Sequence, residues 1–171
     1  MIEQIMVLAI IAILASVATP SLHRLLARNQ VQVAQRDFIG ALQHARATAV
    51  TSGQHIVFCP TLDAQQCSGG TRWDDGWLLA RDGNHDNQPD QKPLYSGAGY
   101  GGKLRIYSSV GRHVVRFHPD GSASGSNLTL LFCDPNQANH TLSVVVSNAG
   151  RVRGASATPE QEATCMQSDP T

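Results

Sequence analysis

Residues 2–20 read IEQIMVLAIIAILASVATP. Glu3 is the one ionisable group in a run that is otherwise almost wholly apolar and ends at Pro20. About 17 apolar-rich residues is the lower limit for a helix that crosses a bilayer. A secretory signal peptide begins with positive charge and closes on a small-residue cleavage site. This run begins with an acid and continues into more helix-forming sequence, so it reads as a retained anchor. A carboxylate near the end of an apolar helix is costly in lipid and points to function. The plainer alternative is a single-pass anchor with an interfacial carboxylate.

Beyond Pro20 the pattern changes to SLHRLLARNQVQVAQRDFIGALQHARATAVTSGQ. Val31, Ala34, Phe38, Ala41, Leu42, Ala45 and Ala49 recur at spacings of three and four, which gives a helix one apolar face. Arg24, Arg28, Gln32, Gln35, Arg36 and Gln43 fall mostly on the other faces. Ser52-Gly53 is a stop signal. One helix over residues 2–52 would be about 75 Å long at 1.5 Å per residue. Pro20 should kink it where the uniformly apolar half meets the half with a single stripe.

From residue 54 the texture is β. Runs of strand character are HIVFC (55–59), GWLLA (76–80), KPLYS (92–96), LRIYS (104–108), HVVRFH (113–118), LTLLFC (128–133) and TLSVVVS (141–147). Turn formers separate them at 82–84, 97–102, 120–121 and 148–150. Short, evenly spaced strands argue for an antiparallel sheet, not βαβ units. The apolar stripe of the helix needs a partner, and this sheet supplies it. The expected architecture is α+β, a lollipop. Residues 1–26 form the anchoring half of the helix. Residues 27–171 form the head: amphipathic half-helix 27–52, β-rich 54–153, and a loop-like tail 154–171 tied down by Cys165. No internal repeat is present.

Lysine plus arginine and aspartate plus glutamate each number 13, so the net charge is zero. A generally basic, histone-like protein is excluded, but a local basic patch is not. Cysteines stand at 59, 67, 133 and 165 with no CxxC spacing. An even count in a small domain points to two disulfides and an oxidising compartment. Of three possible pairings, Cys59–Cys67 with Cys133–Cys165 is the most economical, because each bridge closes a loop between neighbouring segments.

No metal site is expected. Seven histidines are scattered, and His113 and His118 fall at odd spacing in one strand run, hence on opposite faces. DGNHDNQPD (82–90) superficially resembles a calcium loop. An EF-hand needs glycine at its sixth position, where Asn87 stands, and glutamate at its twelfth, where Pro93 stands. A turn-rich exposed loop is the better reading. Trp73 and Trp77 read as partly buried head residues. No GxSxG, HExxH or P-loop occurs, so neither an enzyme nor a cofactor is expected.

The stretch SVVVSNAGRVRGAS (143–156) carries the strongest candidate site. If residues 151–153 continue a strand, Arg151 and Arg153 point to the same face. Each guanidinium can fork onto a phosphate. Gly150 and Gly154 flank the pair and leave it unobstructed. Between residues 101 and 153 the bases are Lys103, Arg105, Arg112, Arg116, Arg151 and Arg153, against the acids Asp120 and Asp134. Such local asymmetry is the footprint of a polyanion site. The residues alone also allow solvated strand arginines, or arginines paired with Asp120, Asp134 or Glu160.

Taken together these residues resemble a type IV pilin-like protein of the FimT/GspH group of minor pilins and pseudopilins. The apolar helix with Glu3 and Pro20 carries the general resemblance. VFCP, WDDGWLLARDGNHD, VRFHPDGSASG, LTLLFC and SVVVSNAGRVRG follow in family order over nearly the whole chain. The WxxGW stretch and the terminal GRxR narrow it. The resemblance implies that the first half-helix sits in the inner membrane, with the head in the periplasm, and then in the core of a surface pilus. There Glu3 would pair with a neighbouring subunit's N-terminal ammonium. It implies major and minor pilins as partners, and a prepilin peptidase that removes a short basic leader from the precursor. Met1 falls slightly inside the expected mature N-terminus.

In the FimT branch a GRxR motif near the C-terminus is associated with DNA binding in natural transformation, and Gly150-Arg151-Val152-Arg153 matches it residue for residue. The resemblance therefore implies sequence-independent capture of double-stranded DNA by Arg151, Arg153 and Gly150, with Lys103, Arg105, Arg112 and Arg116 as possible extensions. The main alternative is a structural subunit of the FimU or GspH kind that primes a pilus or a type II secretion pseudopilus without binding DNA. A more distant one is a pilus-tip adhesin.

Overall fold

The computed structural model describes residues 2–109, 111–135 and 137–167, without side chains for most of 2–27 and for 137–139. The first element, α1, runs Ile2–Ser52 and stays α-helical through Pro20. Gly53 ends it with φ near 65° and an N–H bond of 3.0 Å to the Ala49 carbonyl. That is the left-handed C-terminal cap that glycine adopts without a Cβ penalty. Val31, Ala34, Phe38, Leu42, Ala45 and Ala49 are buried, and Ala41 is partly so, which realises the apolar stripe. Among the described residues no helix is long and apolar enough to cross a membrane. The anchor expected over 1–26 rests largely on side chains outside the described ones.

The expected single sheet is in fact two. Eight strands follow α1: β1 Ile56–Pro60, β2 Gly76–Arg81, β3 Tyr95–Ala98, β4 Arg105–Ser108, β5 Val115–Phe117, β6 Leu128–Asp134, β7 Gln137–Val146 and β8 Val152–Ser156. They form one four-stranded sheet in the order β3-β2-β1-β5 and a second in the order β4-β6-β7-β8, antiparallel throughout. The split arises because β5 returns to pair with β1, while β4 pairs forward with β6. An isolated bridge between Arg72 and Tyr107 links the segment before β2 to β4.

Both sheets close on α1 through Phe38. Its ring meets Phe58 and Trp73 edge-on at 6.0 and 6.3 Å, Trp77 at 6.1 Å and Phe132 at 5.2 Å. Edge-to-face packing at these separations suits the ring quadrupoles. Alternation along the second sheet sends Leu130, Phe132, Val144, Val146 and Val152 to this core. The intervening residues then face the other way.

The tail departs from expectation. Residues 154–156 continue β8, and α2 spans Pro159–Gln167. The local chemistry explains the helix. Thr158 Oγ1 accepts from the Gln161 N–H at 3.4 Å, and Gln161 Oε1 accepts from the Thr158 N–H at 2.9 Å. This is a reciprocal capping box with proline in the first helical position. Disulfides join Cys59 to Cys67 and Cys133 to Cys165. The second pins α2 to the end of β6.

Candidate nucleic-acid interface

The turn from β7 to β8 is built by Ser147 and Gly150. The Gly150 N–H donates to the Ser147 carbonyl at 2.8 Å, and the Ser147 N–H donates to the Arg151 carbonyl at 3.0 Å. The ladder then continues with Val146 opposite Val152 and Val145 opposite Arg153. Val152 turns to the core, so Arg151 and Arg153 turn away from it, and both are exposed.

Gly150 does something other than clear space for them. Its φ is near 72°, and a Cβ there would stand 1.9 Å from the Gly121 carbonyl oxygen. Glycine is required so that the 118–123 turn can seat against the β7–β8 turn. The Ala123 N–H donates to the Asn148 carbonyl at 2.9 Å in the same contact. Gly154 has a parallel role against α1. A Cβ there would meet Gln35 Nε2 at 2.9 Å and Ile39 Cδ1 at 3.0 Å. Gln35 Nε2 itself donates to the Ser143 carbonyl at 2.8 Å and the Ala155 carbonyl at 3.2 Å.

Because β8 is an edge strand, Arg151 and Arg153 share a cleft of about 450 Å³ with Gln43 and Arg46 of α1. Arg46 Nε donates to the Gly121 carbonyl at 2.8 Å, which fixes that guanidinium at the rim. Among the described residues no carboxylate lines the cleft, and none forms an ion pair with these three arginines. Sequence reasoning missed Arg46. Its signal is faint: it lies four residues after Leu42, on the flank of the apolar stripe.

The other bases named from sequence do not join this cleft. Arg116 lies on β5, in the other sheet. Its Nε contacts Asp82 Oδ2 at 3.1 Å, and the guanidinium also donates to the His85 carbonyl and to Asn87 Oδ1. The 82–90 loop thus turns an aspartate, an asparagine and a carbonyl oxygen toward a guanidinium. Its other acids accept backbone N–H groups, Asp90 from Gly83 and Asp86 from Gln88. Among the described residues no cluster fit to hold a metal occurs. Arg112 donates to the Gly125 carbonyl at 2.8 Å. Arg105 is on β4 opposite Cys133, whereas β8 forms the far edge of the same sheet. Three strand spacings separate them, roughly 14 Å before any offset along the strands. Lys103 lies in the turn that leads into β4. Trp73 is fully buried and unavailable for stacking on a base.

A larger groove, about 570 Å³, lies on the other flank of α1, lined in part by Arg36, Asp37, His44, Trp77, Tyr95 and Tyr100. It carries charges of both signs. Burial, and secondarily Asp37, push the Tyr100 phenol up to about 12. A polyanion would meet Asp37 there, so the arginine cleft is the better phosphate site.

A long N-terminal helix packed by its second half on antiparallel sheets defines a pilin-like subunit, and comparison with known proteins places it further. The chain belongs to the GspH family, described as type II transport protein GspH, whose model matches residues 34–150. That match ends one residue short of Arg151. The fold is similar to that of the type IV minor pilin FimU of Pseudomonas aeruginosa, at 20% identity over 74% of this chain and 88% of that one, with a TM-score of 0.61. It is also similar to the minor pseudopilin EpsH from the type 2 secretion system of Vibrio cholerae, at 13% identity over 74% and 96%, with a TM-score of 0.53. No curated protein matches the chain in sequence. By family and fold this is a subunit of the minor pilin and pseudopilin type.

Proposed function

We propose that this subunit binds DNA without sequence preference through the arginine cleft and supports DNA uptake in natural transformation, as in the FimT branch. The observation that carries the reading is the cleft itself: Arg46, Arg151 and Arg153 converge with no carboxylate among the described lining residues, on a chain of zero net charge. Phosphate contacts position a duplex without reading its sequence, which suits a receptor for arbitrary DNA. Non-specific binding of this kind has a Kd of roughly 10⁻⁴ to 10⁻⁶ M. Several copies in one fibre would raise the effective affinity. In this reading residues 1–26 hold the subunit in the inner membrane and then in the pilus core. Glu3 and Pro20 serve assembly with other pilins, after a prepilin peptidase has cut the precursor.

The test is a titration of the full chain in detergent micelles with unrelated duplexes at low and moderate salt, beside Arg151→Gln/Arg153→Gln. Binding that weakens steeply with salt, with a slope reduced by up to about 2 in the double variant, supports the proposal. No binding by the wild type at low salt refutes it.

A second reading is a structural subunit that primes a pilus or pseudopilus. It is favoured by the likeness to FimU and EpsH, and by Met6, Val7, Ile10 and Ile11, each more than half exposed in the single chain and suited to cover by neighbouring helices. Lost piliation on deletion favours this reading. Normal piliation with lost transformability favours DNA capture.

A further inference from the structure

Three histidines from separate segments form one hydrogen-bonded file. His55 lies between α1 and β1, His85 in the 82–90 loop, and His118 just after β5. His85 Nε2 stands 2.9 Å from His55 Nδ1, and His55 Nε2 stands 3.1 Å from His118 Nδ1. His118 Nε2 reaches the Ser124 carbonyl oxygen at 3.4 Å.

The far end fixes every proton. A carbonyl oxygen can only accept, so His118 Nε2 carries the hydrogen. In a neutral ring the other nitrogen is then bare, so His118 Nδ1 accepts from His55 Nε2. By the same step His55 Nδ1 accepts from His85 Nε2. One tautomer satisfies all three links. A first added proton can sit on His85 Nδ1, which makes no hydrogen bond among the described residues. A second must go to Nδ1 of His55 or His118. It would set N–H against N–H at about 3 Å, and that link must open.

Charges of both signs surround the file. Arg116 stands beside it, bound to Asp82. Arg81 and Asp90 line the small pocket at His55, and Asp120 lies near His118. Burial first, then His85, His118 and Arg116, hold His55 below its ordinary value, against a smaller opposing effect of Asp82.

The file ends on the turn that walls the arginine cleft. The Gly121 N–H donates to the His118 carbonyl, and the Gly121 carbonyl receives Arg46 Nε and abuts Gly150. We propose that His85, His55 and His118 form a pH-sensitive latch that holds the 118–124 turn to the α1–β1 junction and so sets the Arg46 side of the cleft. Neutral or singly protonated, the latch is shut. With the second proton on His118 Nδ1 the His55–His118 link opens, the turn is released, and Arg46 loses its fixed acceptor. The consequence for DNA rests on the function proposed above; the latch is a property of the chain alone.

The test needs no DNA. The ¹⁵N-labelled full chain in detergent micelles is titrated from about pH 8 to about pH 5, the range of histidine titration. The signals read are the Gly121, Ala123 and Gly150 amides and Arg46 Nε–H. In the wild type they should shift together on acidification. In His55→Gln, whose amide donates and accepts but does not charge, that shift should be lost while the neutral-pH spectrum elsewhere stays native. If His55→Gln misfolds, His118→Gln takes its place. Signals that stay still in the wild type, or that shift equally in the folded variant, overturn the latch. A latch that titrates as expected in a chain that binds no duplex keeps this inference and removes only the DNA reading.

Discussion

Arg116 and Arg153 present the same guanidinium in two settings. Arg116 is held by Asp82, Asn87 and the His85 carbonyl, and it anchors the 82–90 loop to β5. Arg153 stands on an edge strand beside Arg151, with no ion pair among the described residues. A count of charges along the chain weighs them equally. What separates them is whether the fold brings a carboxylate to each. One arginine is part of the architecture and the other is available to a ligand.

The largest effect that sharpens this contrast is on stability. Arg116→Ala leaves Asp82 buried without its cation and should cost about 3 kcal/mol, the lower end for breaking a buried pair. Arg151→Gln and Arg153→Gln should each change stability by no more than about 0.5 kcal/mol. Chemical denaturation of the three variants checks both halves of the contrast.

Next is Gly150→Ala. It would force a Cβ into a left-handed backbone and against the Gly121 carbonyl, and should cost at least about 2 kcal/mol. A thermal melt of this variant reads the loss. Gly154→Ala meets mainly the movable ends of Gln35 and Ile39 and should cost less.

A smaller effect concerns binding. Arg46→Gln should lower the salt slope of DNA binding by about 1, the share of one phosphate contact. Duplex titrations at several salt concentrations check it.

The smallest effect is on pH. His55 is held below its usual value in the folded chain, so the folded state binds fewer protons than the unfolded one. Its contribution to stability is complete above about pH 6.5, the unfolded value, and is lost as pH falls through the lowered folded value. Denaturation midpoints at successive pH values should decline over that window, and less so in His55→Gln.

The sequence disclosed what local spacing controls. The three-and-four recurrence from Val31 to Ala49 yields the buried face of α1, and each of the seven strand runs overlaps an observed strand, the 92–96 run by only two residues. It did not disclose the division into two sheets, which depends on β5 reaching back to β1 across more than fifty residues. Pairings at such separation leave no mark on local alternation. The capping box at Thr158 and Gln161 is legible in the sequence, but a polar, proline-containing tail fits a loop equally well. At the candidate site, Arg151 and Arg153 were visible as a motif. Arg46 was not, because a basic residue on the flank of an amphipathic helix is ordinary. The local excess of bases from 101 to 153 misled in one respect: it merged Arg116 and Arg105 with a cleft that neither reaches.

The most direct measurement removes equal charge from two places. Arg151→Gln/Arg153→Gln and Arg105→Gln/Arg112→Gln each delete two positive charges from the same chain. The salt slope of duplex binding is compared for both with the wild type. The slope should fall by about 2 in the first variant and stay nearly unchanged in the second. Equal reductions would mean that DNA reads the total charge, and an unchanged slope in the first variant would mean that the arginine cleft holds no phosphate.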